Sequence, residues 1–388
     1  MRYLVYGLAR SGQAVVERLI ARGDDVVSVD RSLGNELDLD LLDDVEVLVK
    51  SPGVPGERPL VTLARERGIP VWSEVELAYR LLPEGTRIVG VTGTNGKTTT
   101  VELLGAIFRA ALRDVAVAGN VGTPLASVLA ADWIVCELSS FQLEDVETFA
   151  CDVAVLLNLE PDHLDRHGSF EAYRDAKLRI FERARVKVVP RGLGYDGIEF
   201  AADDPLPAEP LIRGAHNREN AAAATAAARA AGVGDDAIAE GLTTFGGVAH
   251  RLEPVGEVRG VRFVNDSKAT NVAAARRALA AYSDEPVHLI LGGLPKGEDF
   301  GPLADAIGSN VVSVHLIGEA SDALAAALDR SPVHEDGTLE RAVAHAFRDA
   351  RAGDVILLSP ACASYDQFEH FEERGETFGR LVSALAAP

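Results

Sequence analysis

The chain is short of cysteine, of lysine and of long apolar stretches, and each shortage narrows what it can be. Its three cysteines, Cys136, Cys151 and Cys362, have neither metal-site nor redox spacing, so a reducing cytoplasm is expected. No apolar run reaches the length that crosses a bilayer. The opening residues MRYLVYGLARSG enter a strand and a glycine turn at once, unlike a secretion signal. Lysine and arginine number 38 against 59 aspartates and glutamates, a net charge of −21. Nucleic acid and anionic membranes both require a basic face, so neither is expected as a partner. A small anionic substrate stays open, provided local cations and metal ions line its cleft.

Lysine is scarce in particular. Six, Lys50, Lys97, Lys177, Lys187, Lys268 and Lys296, stand against 32 arginines. Arginine is not a compact ammonium and cannot shed its proton to react as an amine, so each retained lysine invites a chemical reason. Lys97, Lys177, Lys268 and Lys296 fall inside the polar motifs below, and Lys50 precedes the turn Ser51-Pro52-Gly53. Only Lys187 reads as ordinary surface.

What is present is an alternation of strands and helices from end to end, the pattern of parallel-sheet α/β folds. With 388 residues, 47% of them hydrophobic, the chain has room for two or three domains with full cores. Blocks are expected at 1–84, 85–247 and 248–388, with LLPEGTR (81–87) as linker and FGGVAHR (245–251) as hinge.

The segment VGVTGTNGKTTT (89–100) follows an apolar strand and precedes a helical pattern over 101–112. It departs from G-x-x-x-x-G-K-[ST] because Val91 stands where the first glycine would be. The context is nonetheless that of a phosphate cradle. Backbone N–H groups from Gly93 through Thr94, Asn95, Gly96, Lys97, Thr98 and Thr99 converge on phosphate oxygens, Lys97 reaches the terminal phosphates, and the Thr98 hydroxyl can ligate Mg²⁺.

Other polar motifs sit at strand tips. The first turn, Gly7 to Gly12, carries the outer glycines of a dinucleotide fingerprint with Ala9 in the middle, and Asp30 ends the next strand. A ligand-free turn and a uridine diphosphate site are both open there. CELSSFQLE (136–144) places Glu137 where a magnesium-binding acid sits. The segment 158–182 crowds Asp162, His163, Asp165 and His167 ahead of Lys177. GAHNREN (214–220) opens a helix, with capping one explanation for Asn217 and Asn220 one turn on. NDSKATN (265–271), LGGLPKGEDF (291–300) and SPACASYDQFEHFEERG (359–375) follow strands of the last block.

Together these segments resemble the Mur ligase family, over nearly the whole chain. The resemblance implies α/β architecture in three domains: a Rossmann-like N-terminal domain for a UDP-linked substrate, a central P-loop ATPase-like domain with a mostly parallel sheet, and a Rossmann-like C-terminal domain for an amino acid. ELSSFQLE, DHLDRH, NDSKATN and LLSPACASYDQFEHFEERG are most similar to the branch that adds D-glutamate to UDP-N-acetylmuramoyl-L-alanine. The cofactors implied are ATP and two Mg²⁺ ions, and a monomer is expected. Catalytic roles are implied for Lys97, Glu137, His163, Lys177 and Lys268, with Thr98, Glu137, His163 and a carbamylated Lys177 holding metal. Asn217, Asn220, Arg251 and Asp266 would join the loop in contacting nucleotide. Arg10, Ser11, Asp30, Ser51 and Asn120 would take the UDP-linked substrate, and Thr270, Lys296, Ser364, Tyr365 and Phe371 the D-glutamate.

The activity so implied is phosphorylation of a carboxylate by ATP, attack on the acyl phosphate by the amino acid's amine, and domain closure about 82–87 and 246–250. A sister ligase taking another amino acid, an NAD-dependent dehydrogenase and a nucleotide switch are the competing readings. The dehydrogenase leaves the central loop, Lys268 and Lys296 unexplained, and the switch has no need of a third block with its own site.

Overall fold

A computed structural model describes residues 1–328 and 332–386, the side chain of Asp165 excepted. Among the described residues, sixteen strands form three sheets. The first contains β1 (Arg2–Tyr6), β2 (Asp25–Val29), β3 (Val47–Lys50) and β4 (Val71–Ser73), all parallel, in the order β2-β1-β3-β4. The second contains β5 (Arg87–Thr92), β6 (Val115–Gly119), β7 (Trp133–Glu137), β8 (Val153–Leu156), β9 (Val186–Pro190) and β10 (Ile198–Phe200), in the order β10-β9-β8-β5-β7-β6. It is wholly parallel. The third contains β11 (Glu253–Val258), β12 (Val261–Asn265), β13 (Val287–Gly292), β14 (Val311–Ile317), β15 (Val333–Gly337) and β16 (Val355–Ala361). Its order is β11-β12-β16-β13-β14-β15, with β11 antiparallel at one edge.

Central strands carry unbroken apolar runs because helices cover both faces. Every residue of β7, WIVCE, is buried, as is every residue of β13, VHLILG. Among the described residues no helix is long and apolar enough to cross a membrane.

The chain condenses into two compact units. One takes residues 1–211 with 216–245, and the other 212–215 with everything from 246 on. The first two sheets thus share a unit, and a single apolar core runs from Val5, Leu19 and Val75 through Leu125, Ile134 and Leu156.

Two buried charged groups stitch that unit together. Glu76 accepts the backbone N–H groups of Glu147, Thr148 and Phe149, each at 2.9 Å, and the Thr148 hydroxyl at 2.6 Å, while Arg80 pairs with it at 2.6 Å. Burial alone would push its carboxyl up, but these hydrogen bonds to the anion outweigh burial and hold it below the usual glutamate range. Lys50, only 1% exposed, pairs with Asp145 at 3.0 Å and donates to the Val54 carbonyl at 3.1 Å. Arg166 donates to the same carbonyl at 2.8 Å. Lys50 is therefore part of the scaffold, and its scarcity value lies in a dry, compact ion pair.

Glu76→Gln is expected to cost about 1–3 kcal/mol at neutral pH, because it unpairs buried N–H donors and Arg80. The native carboxyl titrates below its unfolded value, so its stabilisation is present above that value and fades as pH falls through the folded one. Urea unfolding of both proteins across pH checks this: the gap should start to narrow once pH falls below the unfolded glutamate value of about 4.

Candidate active site

The crevice of the central sheet opens at the carboxyl end of β5. The chain leaves β5 for β6 and β7 on one side and returns by β8 on the other, so the loops after β5, β7 and β8 diverge there. The helix Lys97–Ala110 begins four residues ahead of its apolar pattern, since the glycine turn and three threonines form its first turn. Gly96 adopts a left-handed φ of 85° at the helix entry, and a Cβ there would meet Asn220 Oδ1 at 2.3 Å. Only glycine lets that asparagine press on the loop.

Asn217 and Asn220 are buried inside the helix Ala215–Ala230, hydrogen-bonded to each other at 3.3 Å, so Asn217 is not the helix cap. The loop's own N–H groups are partly committed. Asn158 accepts from Thr94 through its carbonyl at 3.2 Å and from Asn95 through its side chain at 2.8 Å. Phosphate donors are then to be sought in the first turn of the helix, Thr98 and Thr99 among them, whose N–H groups face no carbonyl within the helix.

Two lysines converge on one acceptor. Lys97 donates to the Gly93 carbonyl at 2.8 Å and the Thr94 carbonyl at 2.9 Å, and Lys177 donates to the Gly93 carbonyl at 2.8 Å. Lys177 is 2% exposed, and its amine is pushed down to about 7, first by burial and then by the charge of Lys97. Asp162 and Glu137 are near enough to oppose the shift. Near neutral pH the amine is therefore partly free of its proton, the form in which a lysine is a nucleophile.

Glu137 ends β7 nearly fully buried, and one of its oxygens accepts from the Asn120 side chain at 3.2 Å. The two histidines of DHLDRH part company. His163 is exposed, in a left-handed conformation of φ 51°, paired with Asp162 at 3.5 Å and resting against Phe141. His167 turns inward to Ser140 at 3.0 Å and Glu144 at 3.1 Å, supporting the short helix Ser140–Leu143. Asp165 lies outside the described side chains. Among the described residues, Glu137 and His163 belong to no trio of histidine, cysteine or acidic donors close enough to hold one ion. Oxygen from Thr98, from a modified Lys177 or from phosphate fits that partial set, which suits Mg²⁺.

The N-terminal turn is held by side chains at the tips of β2 and β3. Ser51 donates to the Gly7 carbonyl at 2.7 Å, and a Cβ on Gly12 would meet that oxygen at 1.8 Å. Asp30 accepts from Leu8 N at 2.8 Å and from Ser32 through N at 2.8 Å and Oγ at 2.7 Å, which lowers its carboxyl, the Leu8 bond most. Ser11 is half-buried on the first helical turn, and Arg10, exposed, reaches the Gly122 carbonyl at 3.4 Å.

In the other unit, polar groups collect at the tips of β12, β13 and β16. Asp266 accepts from Ser359 Oγ at 2.7 Å and Leu252 N at 3.2 Å, and burial pushes its carboxyl up to about 7. Arg251 is half-buried and near enough to oppose that rise. The Lys268 ammonium lies 5.7 Å from the centre of the Phe371 ring, and Lys296 donates to Thr270 through its carbonyl at 3.1 Å and its hydroxyl at 3.3 Å. Ser364 is buried, whereas Tyr365 is 70% exposed.

Two sequence profiles match the chain: one described as Mur ligase middle domain over residues 91–192, and one described as Mur ligase, glutamate ligase domain over 250–362. The UDP-N-acetylmuramoylalanine--D-glutamate ligase of Sphingopyxis alaskensis is 41% identical, with 100% of this chain and 98% of that protein covered. The chain belongs to the Mur ligase family. The ligase of the same name from Anaeromyxobacter dehalogenans is 42% identical, with 99% of this chain and 98% of that protein covered. Among solved structures, the UDP-N-acetylmuramate-alanine ligase of Thermotoga maritima gives a TM-score of 0.64 at 18% identity, covering 99% of each chain. The MurF ligase of Thermotoga maritima in complex with ADP gives 0.60 at 18% identity, covering 90% of this chain and 92% of that one. At such identity these two speak for the fold alone.

One organising residue of this Mur ligase escaped sequence reasoning. Arg374, 1% exposed, donates from Nε to Ser267 Oγ at 2.9 Å and from Nη2 to the carbonyls of Ser267 at 2.9 Å and Cys362 at 3.1 Å. Nη1 reaches the Ala363 carbonyl at 3.3 Å. It thereby locks the tips of β12 and β16, where Asp266 and Ser364 sit, and burial lowers its guanidinium to about 10. It lies in the motif 359–375, where only Ser364, Tyr365 and Phe371 drew a role; the glycine after it was the available signal. A Cβ on Gly375 would meet His250 Nδ1 at 2.2 Å.

Gly96→Ala is expected to destabilise the protein by more than the roughly 1–2 kcal/mol of left-handed backbone strain, because of the Asn220 contact. Thermal unfolding of Gly96→Ala, Asn220→Ala and the double variant checks it. The double variant should be less destabilised than the sum of the singles.

Proposed function

We propose that this protein is an ATP-dependent ligase that joins D-glutamate to UDP-N-acetylmuramoyl-L-alanine during peptidoglycan precursor synthesis, acting as a monomer in the cytoplasm. The observation that carries the reading is the pair of lysines on the Gly93 carbonyl, one of them a buried amine poised near neutrality. It gains weight from relatives about 40% identical over nearly their whole length that carry this activity in their name.

The working division is 1–84 for the UDP-linked substrate, 85–247 for ATP and 248–388 for the amino acid. Gly93 to Thr99 cradle the ATP phosphates, and Lys97 leaves its carbonyl partners to neutralise charge on the terminal phosphate. Asn217 and Asn220 brace the loop, with Arg251, Asp266 and Lys268 also serving the nucleotide. Arg10, Ser11, Asp30 and Ser51 form the turn that receives the uridine nucleotide, and Asn120 addresses the muramoyl part. The γ-phosphoryl passes to the L-alanine carboxylate, ADP leaves, and the amine of D-glutamate displaces phosphate to form the amide. Lys296, with Thr270, Ser364, Tyr365 and Phe371, binds D-glutamate, the ammonium pairing with a carboxylate. Bound Mg²⁺, held by Thr98, Glu137, His163 and a carbamate on Lys177, would supply charge neutralisation at the transferring phosphoryl. The neutral Lys177 amine is the form that combines with CO₂, losing a proton and exchanging a cation for an oxygen ligand.

The direct test is product mass from UDP-N-acetylmuramoyl-L-alanine, ATP and D-glutamate, alongside a panel of other amino acids. The expected product is the D-glutamyl adduct with one phosphate released per adduct; activity with L-alanine and none with D-glutamate would sink the assignment. Lys296→Ala should raise KM for D-glutamate by roughly tenfold or more while sparing KM for ATP, from loss of a charged contact. With ¹³C-bicarbonate, a carbamate resonance should appear as pH rises through about 7 and be missing in Lys177→Ala. Its absence from the native protein would remove the carbamate role.

A further inference from the structure

The second unit carries a polar seam through its apolar packing that the loops at the strand tips do not use. Four of the chain's nine histidines lie in it: His288 on β13, His315 on β14, His334 on β15 and His345 on the helix Leu339–Asp349. Strand register puts His288 beside Ser313 and His315 beside His334. The helix lies over this face through Leu339, Ala342, Val343 and Ala346, which brings His345 down to the edge strand β15.

A relay crosses the seam. Asp354 Oδ2 lies 3.2 Å from His288 Nε2, and His288 Nδ1 lies 2.7 Å from Ser313 Oγ. Ser313 Oγ lies 2.8 Å from His315 Nε2, and His315 Nδ1 lies 2.7 Å from Asp336 Oδ2. The other Asp336 oxygen lies 2.8 Å from His345 Nδ1.

From Asp354 to Asp336 there are four such contacts, each needing a proton between its atoms. Two neutral imidazoles and one hydroxyl bring only three. When the three point toward Asp354, the His315 Nδ1 lone pair is left facing the Asp336 carboxylate. Something positive belongs there.

A divalent cation answers the same deficit. Donor atoms of His315, Asp336 and His345 all lie within 4.8 Å of one another. The His334 ring stacks on His315 with centres 5.1 Å apart and lies 4.4 Å from His345, a third imidazole packed beside these donors. The outer partners are also in position. His315 backs onto Ser313, His288 and the Asp354 carboxylate, and His345 Nε2 lies 3.4 Å from Asp349 Oδ2. Carboxylate-backed imidazoles with the lone pair turned inward are the usual support of a metal site.

We propose that His315, Asp336 and His345 form a site for one divalent transition cation of the zinc class, with water as the fourth ligand, which clamps edge strand β15 and the helix Leu339–Asp349 to the sheet. Imidazole-rich donors select such an ion over Mg²⁺, whose ligands are oxygens. The rings would need to part slightly to reach metal–nitrogen distances of about 2.0–2.1 Å.

The full chain, stripped with chelator and kept in excess Mg²⁺, is titrated with Co²⁺ as a visible probe. One Co²⁺ per chain with tetrahedral ligand-field absorption is expected, and Zn²⁺ should displace it and raise Tm. His345 is partly exposed on a helix, so His345→Gln should fold, yet weaken Co²⁺ binding at least about tenfold and abolish the Tm rise. His163→Ala serves to separate this site from the nucleotide loops, and should bind Co²⁺ as the native protein does. Absence of the tetrahedral spectrum, an unchanged affinity in His345→Gln, or loss of the spectrum in His163→Ala would each overturn the proposal.

Discussion

Two ammonium groups share the carbonyl of Gly93, and much of the first unit is arranged around that crowding. Like charges so close, one of them buried, cannot both stay fully protonated without cost, and Lys177 yields. The carbonyl is available because Gly93 takes a φ of 153° at the end of β5, where a Cβ would meet Leu157 at 2.9 Å. Thr94 is tied to Tyr173 on the helix that carries Lys177, and Asn158 after β8 holds both Thr94 and Asn95. Loop shape, lysine position and proton affinity are one problem with one solution.

That solution requires a rigid floor. The parallel central sheet provides it, with β5 between β7 and β8, so that the loop, Glu137 and the Asp162 segment emerge on one edge. The 51–56 turn after β3 is tied in through the Val54 carbonyl, which receives both Lys50 and Arg166. Arg166 belongs to the same segment as His163. A shift in the 51–56 turn would therefore be felt where metal ligands are proposed, through hydrogen bonds that geometry makes specific.

The second unit meets a similar demand with a different device. Its strand tips gather polar side chains, and the backbone beneath them leaves carbonyls that require donors. Arg374 satisfies several at once from a planar fork that lysine could not imitate. Here the arginine-dominated composition has a structural use, where in the first unit the exceptional lysines carry the interest.

The sequence by itself determined the alternation of strands and helices, the glycine turn after β5 and how few lysines the chain offers for amine chemistry, because each rests on local pattern or on a residue type with no substitute. Lys97 and Lys177 stood out for that reason, and the fold brings both to the Gly93 carbonyl. Tertiary structure alone decided that Lys50 is a buried ion pair, that His167 turns inward while His163 stays out, and that Arg374 organises a strand edge. It also gathered four histidines from three strands and a helix. Those outcomes depend on which distant backbone donors and acceptors meet, and spacing along a chain does not encode the partner across a sheet.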